Sequence, residues 1–174
     1  MSSISYKRII LLGFPIIISG IIEPVLNTTD LKLIGHYNRE LLGAVGLGSQ
    51  VIMTIVWVFM SLLTPVAARI GVLFGEKQTE QIKTLFNYLL KRSLIIGVLF
   101  SVVLTFSATA IIDLFQANSF ITSEASKFLA IRDLGLPIIL AFGLSFQLFK
   151  GLQQTKIILI ATITGGIINF ILDL

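Results

Sequence analysis

Residues 41–68 read LLGAVGLGSQVIMTIVWVFMSLLTPVAA, 28 positions without one charged side chain. Wound as an α-helix, that stretch is ~42 Å long, whereas the hydrocarbon core of a bilayer is ~30 Å thick and takes ~20 residues to cross. A second run, 93–112, has 20 residues and again no charge. Three further apolar runs flank these two: Ile9 to about Ile34, about Phe128 to Phe149, and Ile157 to Leu172, with Asp173 next to the end. None alternates with period two, so a membrane β-barrel is a poor fit. With no water in the bilayer core, backbone polar groups are satisfied inside helices. The chain therefore reads as an all-α integral membrane protein with five transmembrane helices, at about 9–34, 41–74, 84–115, 123–149 and 156–174.

The composition agrees. The apolar set is 55% of the 174 residues, charged residues only 13%, and the mean hydropathy is +0.97. A soluble domain carries about a quarter charged residues, and a disordered chain has low hydrophobicity and high net charge. The absence of cysteine excludes disulfide scaffolds, thiolate metal sites and thiol nucleophiles. One histidine, His36, excludes a His-based metal cage or triad. No Walker A, G-x-S-x-G or H-E-x-x-H pattern occurs, which leaves ATP-driven transport and hydrolysis without support. An enzyme is not expected, and neither is a cofactor beyond a coupling ion.

The 13 Lys and Arg residues are scattered between apolar runs, which reads as topology signal rather than a nucleic-acid footprint. With the N-terminus inside, Lys7, Arg8, Arg69, Lys77, Lys83, Lys91, Arg92, Lys150 and Lys156 fall on the inner side. Lys32, Arg39, Lys127 and Arg132 fall outside. Nine against four places the N-terminus in the cytoplasm of a plasma (inner) membrane protein. Lys7-Arg8 before apolar residues resembles the start of a signal peptide, but no A-x-A-like site follows and four more spans come later. A short amphipathic piece after Gly75 is expected to lead into the third span. Thr122 or Ser123 is expected to cap the fourth. No internal repeat is evident.

Ionisable groups at bilayer depth are candidate functional groups. The first span holds the densest set: Glu23, Asn27 and Asp30 at i, i+4 and i+7 share one face. Pro24 removes a donor and crowds the carbonyl of Gly20, so a bend at Gly20–Pro24 is expected. Lys32 faces away from Asp30 and snorkels to the interface. In the fifth span Asn169 and Asp173 lie at i, i+4. Asp30 is ~33 Å along a straight helix from Arg8 and Asp173 ~26 Å from Lys156, so both fall in the outer half of the bilayer. If the first and fifth spans are neighbours, the two carboxylates meet. Two such groups in a poorly hydrated pocket do not both stay ionised cheaply. They would share a proton as one unit, or hold a sodium ion completed by Asn169 and backbone oxygens. Either ion changes the pocket by one charge and can bias a bent helix between two shapes, as coupled transport requires. The remaining polar groups have blander readings. Gln50, Gln147, Thr162 and Thr164 are read as interhelical hydrogen-bonding groups more than cavity lining, and Arg132-Asp133 as a local pair at the interface.

These residues resemble a known family. Phe14-Pro15, Glu23-Pro24, Thr29-Asp30-Leu31-Lys32-Leu33-Ile34-Gly35-His36 and Leu42-Gly43-Ala44-Val45-Gly46-Leu47-Gly48 are similar to the first helix and following turn of multidrug and toxic compound extrusion (MATE) transporters, closest to the DinF-like branch. Ile131-Arg132, Gly135-Leu136-Pro137, Lys150-Gly151 and Asn169-Phe170-Ile171-Leu172-Asp173 match that branch's fourth and fifth helices in order. The resemblance implies a twelve-helix fold of two six-helix lobes, of which this chain would be most of the N-terminal lobe, a fragment lacking the C-terminal lobe. It implies a secondary antiporter that exports small organic, often cationic, compounds in exchange for sodium ions or protons. It assigns Asp30, Asn169 and Asp173 to the cation-coupling cluster, sodium at Asp30 and Asp173 being one form. Glu23 and Asn27 would be accessory, and Gly20 and Pro24 the helix bend. Departures are Leu31 and Gln154, where the family often has Thr and Asp, and the charge at Lys32. Two alternatives stay open: a flippase of lipid-linked saccharides from the same superfamily, and a small membrane scaffold that transports nothing. Membrane lipid and small organic substrates are the expected partners, nucleic acid is not.

Overall fold

A computed structural model describes residues Tyr6–Leu172. Among them are six α-helices and no strand: α1 (Tyr6–Tyr37), α2 (Arg39–Gly75), α3 (Thr79–Asp113), α4 (Ser119–Arg132), α5 (Leu136–Gly151) and α6 (Thr155–Leu172). A single 3₁₀ turn, Asp133–Gly135, joins α4 to α5, and these three pieces together form one span. Five spans are long and apolar enough to cross a membrane.

The fourth span differs from its expected form. It is two helices with a break, and the cause is Pro137. Proline has no N–H to give the Asp133 carbonyl, so the Leu136 N–H bonds that carbonyl instead, in the tighter i→i+3 pattern. The cap is different too. Asn118, not Thr122 or Ser123, starts α4, its side chain accepting the Ile121 N–H at 2.8 Å. The piece expected before the third span is the first turns of α3 itself, which runs unbroken for 35 residues.

α1 continues through Pro15 and Pro24. Hydroxyls near both prolines are used inside the helix: Ser19 donates to the Pro15 carbonyl and Thr28 to the Pro24 carbonyl, each at 2.8 Å. Thr54, Thr64, Ser145 and Thr162 bond their own helices in the same i−4 manner, which leaves few hydroxyls needing partners in lipid.

Two turns share one design. Gly75-Glu76-Lys77-Gln78-Thr79 links α2 to α3, and Gly151-Leu152-Gln153-Gln154-Thr155 links α5 to α6. Lys77 and Gln153 are left-handed, at φ 58 and 60°. The Gln78 N–H reaches back to the Leu73 carbonyl at 2.9 Å, and the Gln154 N–H to the Phe149 carbonyl at 2.8 Å. This is the six-to-one helix-ending bond, followed at once by a new helix.

Packing divides the bundle in two. α2, α3, α4 and α5 form a block, with Ala44, Val51, Ile52, Leu104, Ala108, Ile112, Ala125, Leu129 and Leu136 as its core. α1 packs chiefly on α6, less on α2, and α6 only lightly on α5. The buried residues of α6 are Thr155, Ile158 and Gly166, and among the described side chains of α1 they are Pro15 and Ser19. Gly166 is where α1 and α6 close: a Cβ there would lie 3.2 Å from Leu26 Cδ1 and 3.4 Å from Ile22 Cγ2. The α1–α6 pair thus shares few buried side chains with the block. Large apolar residues cover the outside, Phe106 at 87% exposure and Leu114 at 79% among them, a surface that only a bilayer or further protein would cover.

Candidate functional site

The α1–α6 contact brings together the two ends of the sequence. Asn27, Asp30, Leu31 and Ile34 of α1 and Asn169 of α6 line one cavity of about 520 Å³. Val45, Gly46, Ser49, Gln50 and Met53 of α2 form its second wall, and Phe128 and Arg132 of α4 close it. Asp30 and Asn169 are half-buried. The structure therefore places Asp30, Asn27 and Asn169 in one space, with amide and hydroxyl oxygens from Gln50 and Ser49 available nearby. Asp173 and the Glu23 side chain lie outside the described residues.

Asn27, Gln50 and Met53 also line a second cavity, of about 800 Å³, between α1 and α2. Gly20 and Pro24 form its α1 wall, and Thr54, Trp57, Val58 and Ser61 its α2 wall. The two cavities adjoin through the shared residues. Pro24, expected to bend α1, thus sits against the larger cavity, one turn before Asn27.

Three side chains depart from their expected roles. Gln50 lines the cavity, whereas Gln147 is buried inside the helix block. Arg132 and Asp133 do not form a local pair. Successive residues of a helix point ~100° apart, and here that angle sends them to different neighbours. Arg132 faces the Asp30 cavity, whereas Asp133 is fully buried against α3. Thr105 Oγ1 lies 3.1 and 3.2 Å from the two Asp133 oxygens, and Ser101 Oγ lies 3.4 Å from Oδ1. Lys32 is exposed, and His36 Nδ1 is 2.9 Å from the Lys32 carbonyl oxygen near the end of α1.

Five apolar spans and an inward-facing carboxylate that shares its cavity with three amides define a multi-pass helical membrane protein with a polar site at bilayer depth. Comparison with known proteins supplies the family. The MatE family model matches residues 15–174, and the chain belongs to the MatE family of transporters. Protein DETOXIFICATION 43 of Arabidopsis thaliana is 37% identical over 83 residues, which cover 46% of this chain and 16% of that protein. DNA damage-inducible protein F of Escherichia coli is 25% identical over 163 residues, 93% of this chain and 36% of that protein. The chain superposes with a TM-score of 0.87 on a MOP superfamily transporter from Pyrococcus furiosus, at 22% identity, over 96% of this chain and 37% of the other. It therefore spans little more than a third of the DinF protein and of that transporter.

Proposed function

We propose that the chain is the larger part of the N-terminal lobe of a secondary antiporter that exports small organic, often cationic, compounds in exchange for sodium ions or protons. Asp30, Asn169 and Asp173 bind the coupling ion, and Glu23 and Asn27 are accessory. The observation that carries this reading is the shared cavity of Asp30 and Asn169, residues from opposite ends of the chain. Asp30 supplies charge. The Asn27, Asn169 and Gln50 amides supply neutral oxygens of the kind that hold a small hard cation. Arg132 on the same wall adds a resident positive charge, which penalises a divalent ion twice as strongly as a monovalent one.

The adjoining cavity suits the cargo. Trp57 offers a ring face for an organic cation and Met53 an adaptable apolar contact. Ion occupancy at Asp30 is one helical turn from that space, through Asn27. The α1–α6 pair, lightly tied to the block, is the part whose position the ion biases. With Arg132 now counted inside the span rather than at its outer end, nine basic residues against three support an N-terminus on the cytoplasmic side of a plasma (inner) membrane.

The test is ion-gradient-driven efflux by the complete protein in proteoliposomes, with sodium and proton gradients imposed separately. Asp30→Asn and Asp173→Asn are expected to insert normally and to abolish coupled efflux. Undiminished efflux in both variants would remove the mechanism.

A further inference from the structure

Asp133 plays no part in the site described above, yet it is fully buried and sits at the one break in the helical spans among the described residues. It lies ~21 Å along the helix from Ser119, where the fourth span begins, and ~27 Å from Gly151, where it ends. That is bilayer depth, where an ionisable group is retained for a reason.

No cation faces it from the elements packed around the turn, which are α3, α4 and α5. On α3 residues 93–112 carry no charge, so Arg92 and Asp113 lie beyond reach at either end. On α4 the Arg132 guanidinium lies over Gly135, with Nη1 3.8 Å from a Cβ built there, and lines the Asp30 cavity, whereas the Asp133 oxygens meet the α3 hydroxyls; Lys127 pairs with Glu124 at 2.7 Å near the exposed end. On α5 the first charge is Lys150, at its far end. The polar neighbours of the Asp133 side chain are two hydroxyls, Ser101 and Thr105.

Counting protons on those hydroxyls shows what the cluster can accept. Thr105 Oγ1 has one proton and three acceptors in range: both Asp133 oxygens and the Ser101 carbonyl at 3.0 Å. With Asp133 ionised, that proton turns to the carboxylate and the Ser101 carbonyl loses it. With Asp133 protonated, the acid O–H donates to Thr105 Oγ1, and the Thr105 proton goes on to the Ser101 carbonyl, so every group is served. Both forms are built from the same atoms by a rotation of one hydroxyl. Access exists as well. Thr105 also lines a groove of about 690 Å³ between α3 and α4, walled by the hydroxyls of Thr109, Ser119, Thr122 and Ser126 and by the charged side chains of Asp113 and Lys127 nearer the α3–α4 turn.

We propose that Asp133, Ser101 and Thr105 form a second, proton-accepting site of this protein, separate from the Asp30 cavity and reached along the α3–α4 groove. The site takes one proton from water onto the carboxylate and releases it to the same groove. It stands on geometry inside the helix block and is independent of what the Asp30 cavity binds.

The experiment is infrared difference spectroscopy of the complete protein in lipid, titrated with acid. The expected result is a protonated-carboxyl band that grows as the pH falls and is lost in Asp133→Asn. It persists in Asp30→Asn and moves to higher frequency in Thr105→Val, which keeps the acid but removes its acceptor. Thr109→Trp, which fills the groove, is expected to slow deuterium exchange of that band several-fold. A titrating spectrum identical in wild type and a folded Asp133→Asn overturns the site. Should that variant not fold, an unmoved band in Thr105→Val overturns it equally. An unchanged exchange rate in Thr109→Trp overturns the route.

Discussion

Gly97 is the point where α3 touches the broken span most closely. A Cβ built there would lie 2.5 Å from Pro137 Cα, 2.8 Å from its nitrogen and 3.2 Å from its Cβ. The first two are backbone atoms that no rotamer change can move. Ordinary contact begins near 3.4 Å, so Gly97→Ala requires α3 and α5 to separate by ~1 Å or to rotate, an overpacking cost of about 1–3 kcal/mol. Alanine's better helix propensity returns at most about 1 kcal/mol. Against wild type the net expectation is a loss of up to about 2 kcal/mol; against a glycine-to-alanine control that gains the same propensity it is about 1–3 kcal/mol, or about five- to 150-fold in the folded-to-unfolded ratio. The same separation loosens the cluster one turn away. Ser101 Oγ already stands 3.4 Å from Asp133, at the edge of hydrogen-bond range. Reversible unfolding in mixed micelles, followed by helical circular dichroism, measures the loss directly. Gly165→Ala is the control, since a Cβ at Gly165 meets nothing within 4 Å. It is expected to be neutral or slightly stabilising. A Gly97→Ala protein as stable as the control would refute the argument that backbone contact at this crossing sets the packing.

Two further outcomes follow from the geometry. The chain has no cysteine, so a pair introduced as Ile22→Cys and Gly166→Cys reports on the α1–α6 contact alone. Ile22 Cγ2 is 3.4 Å from an added Gly166 Cβ, and the pair is expected to cross-link under mild oxidant in membranes, a band on a non-reducing gel reading the result. Lys77 holds φ at 58° without being glycine. Relief of ~1–2 kcal/mol of left-handed strain, less ~0.5–1 kcal/mol of glycine entropy, makes Lys77→Gly more stable by about 0.5–1 kcal/mol in the same unfolding assay.

The five spans were legible because hydrophobic runs of bilayer length leave one structural solution. Asp30 and Asn169 were legible because a polar group in such a run has few places to go. Their neighbourhood was not, since it depends on α6 returning to α1 rather than to α4 or α5, which no local pattern encodes. The break at Asp133 had a signal in Pro137, whose missing N–H falls four residues after the Asp133 carbonyl. That signal is easily passed over inside an apolar run, where proline at a helix start and proline at a break look alike. The reading of Arg132-Asp133 as a mutual pair followed from adjacency along the chain. Adjacent helical residues point apart, and which neighbours they meet is set by α3 and α1. Ser101 and Thr105 carried a fainter signal: two hydroxyls four apart on a charge-free helix mark a face that can satisfy one buried acid.

The paired pentapeptides at Gly75–Thr79 and Gly151–Thr155 make the bundle partly modular. The direction in which a helix departs from its predecessor is governed by the dihedrals between them, and here the cap residues Glu76 and Leu152 (φ −80 and −75°) and the left-handed residues after them nearly coincide. The two joints share a left-handed residue at the same place and the same helix-ending bonds. A chain that stores the same corner twice can lengthen or replace the spans on either side of it without inventing a new way to reverse direction.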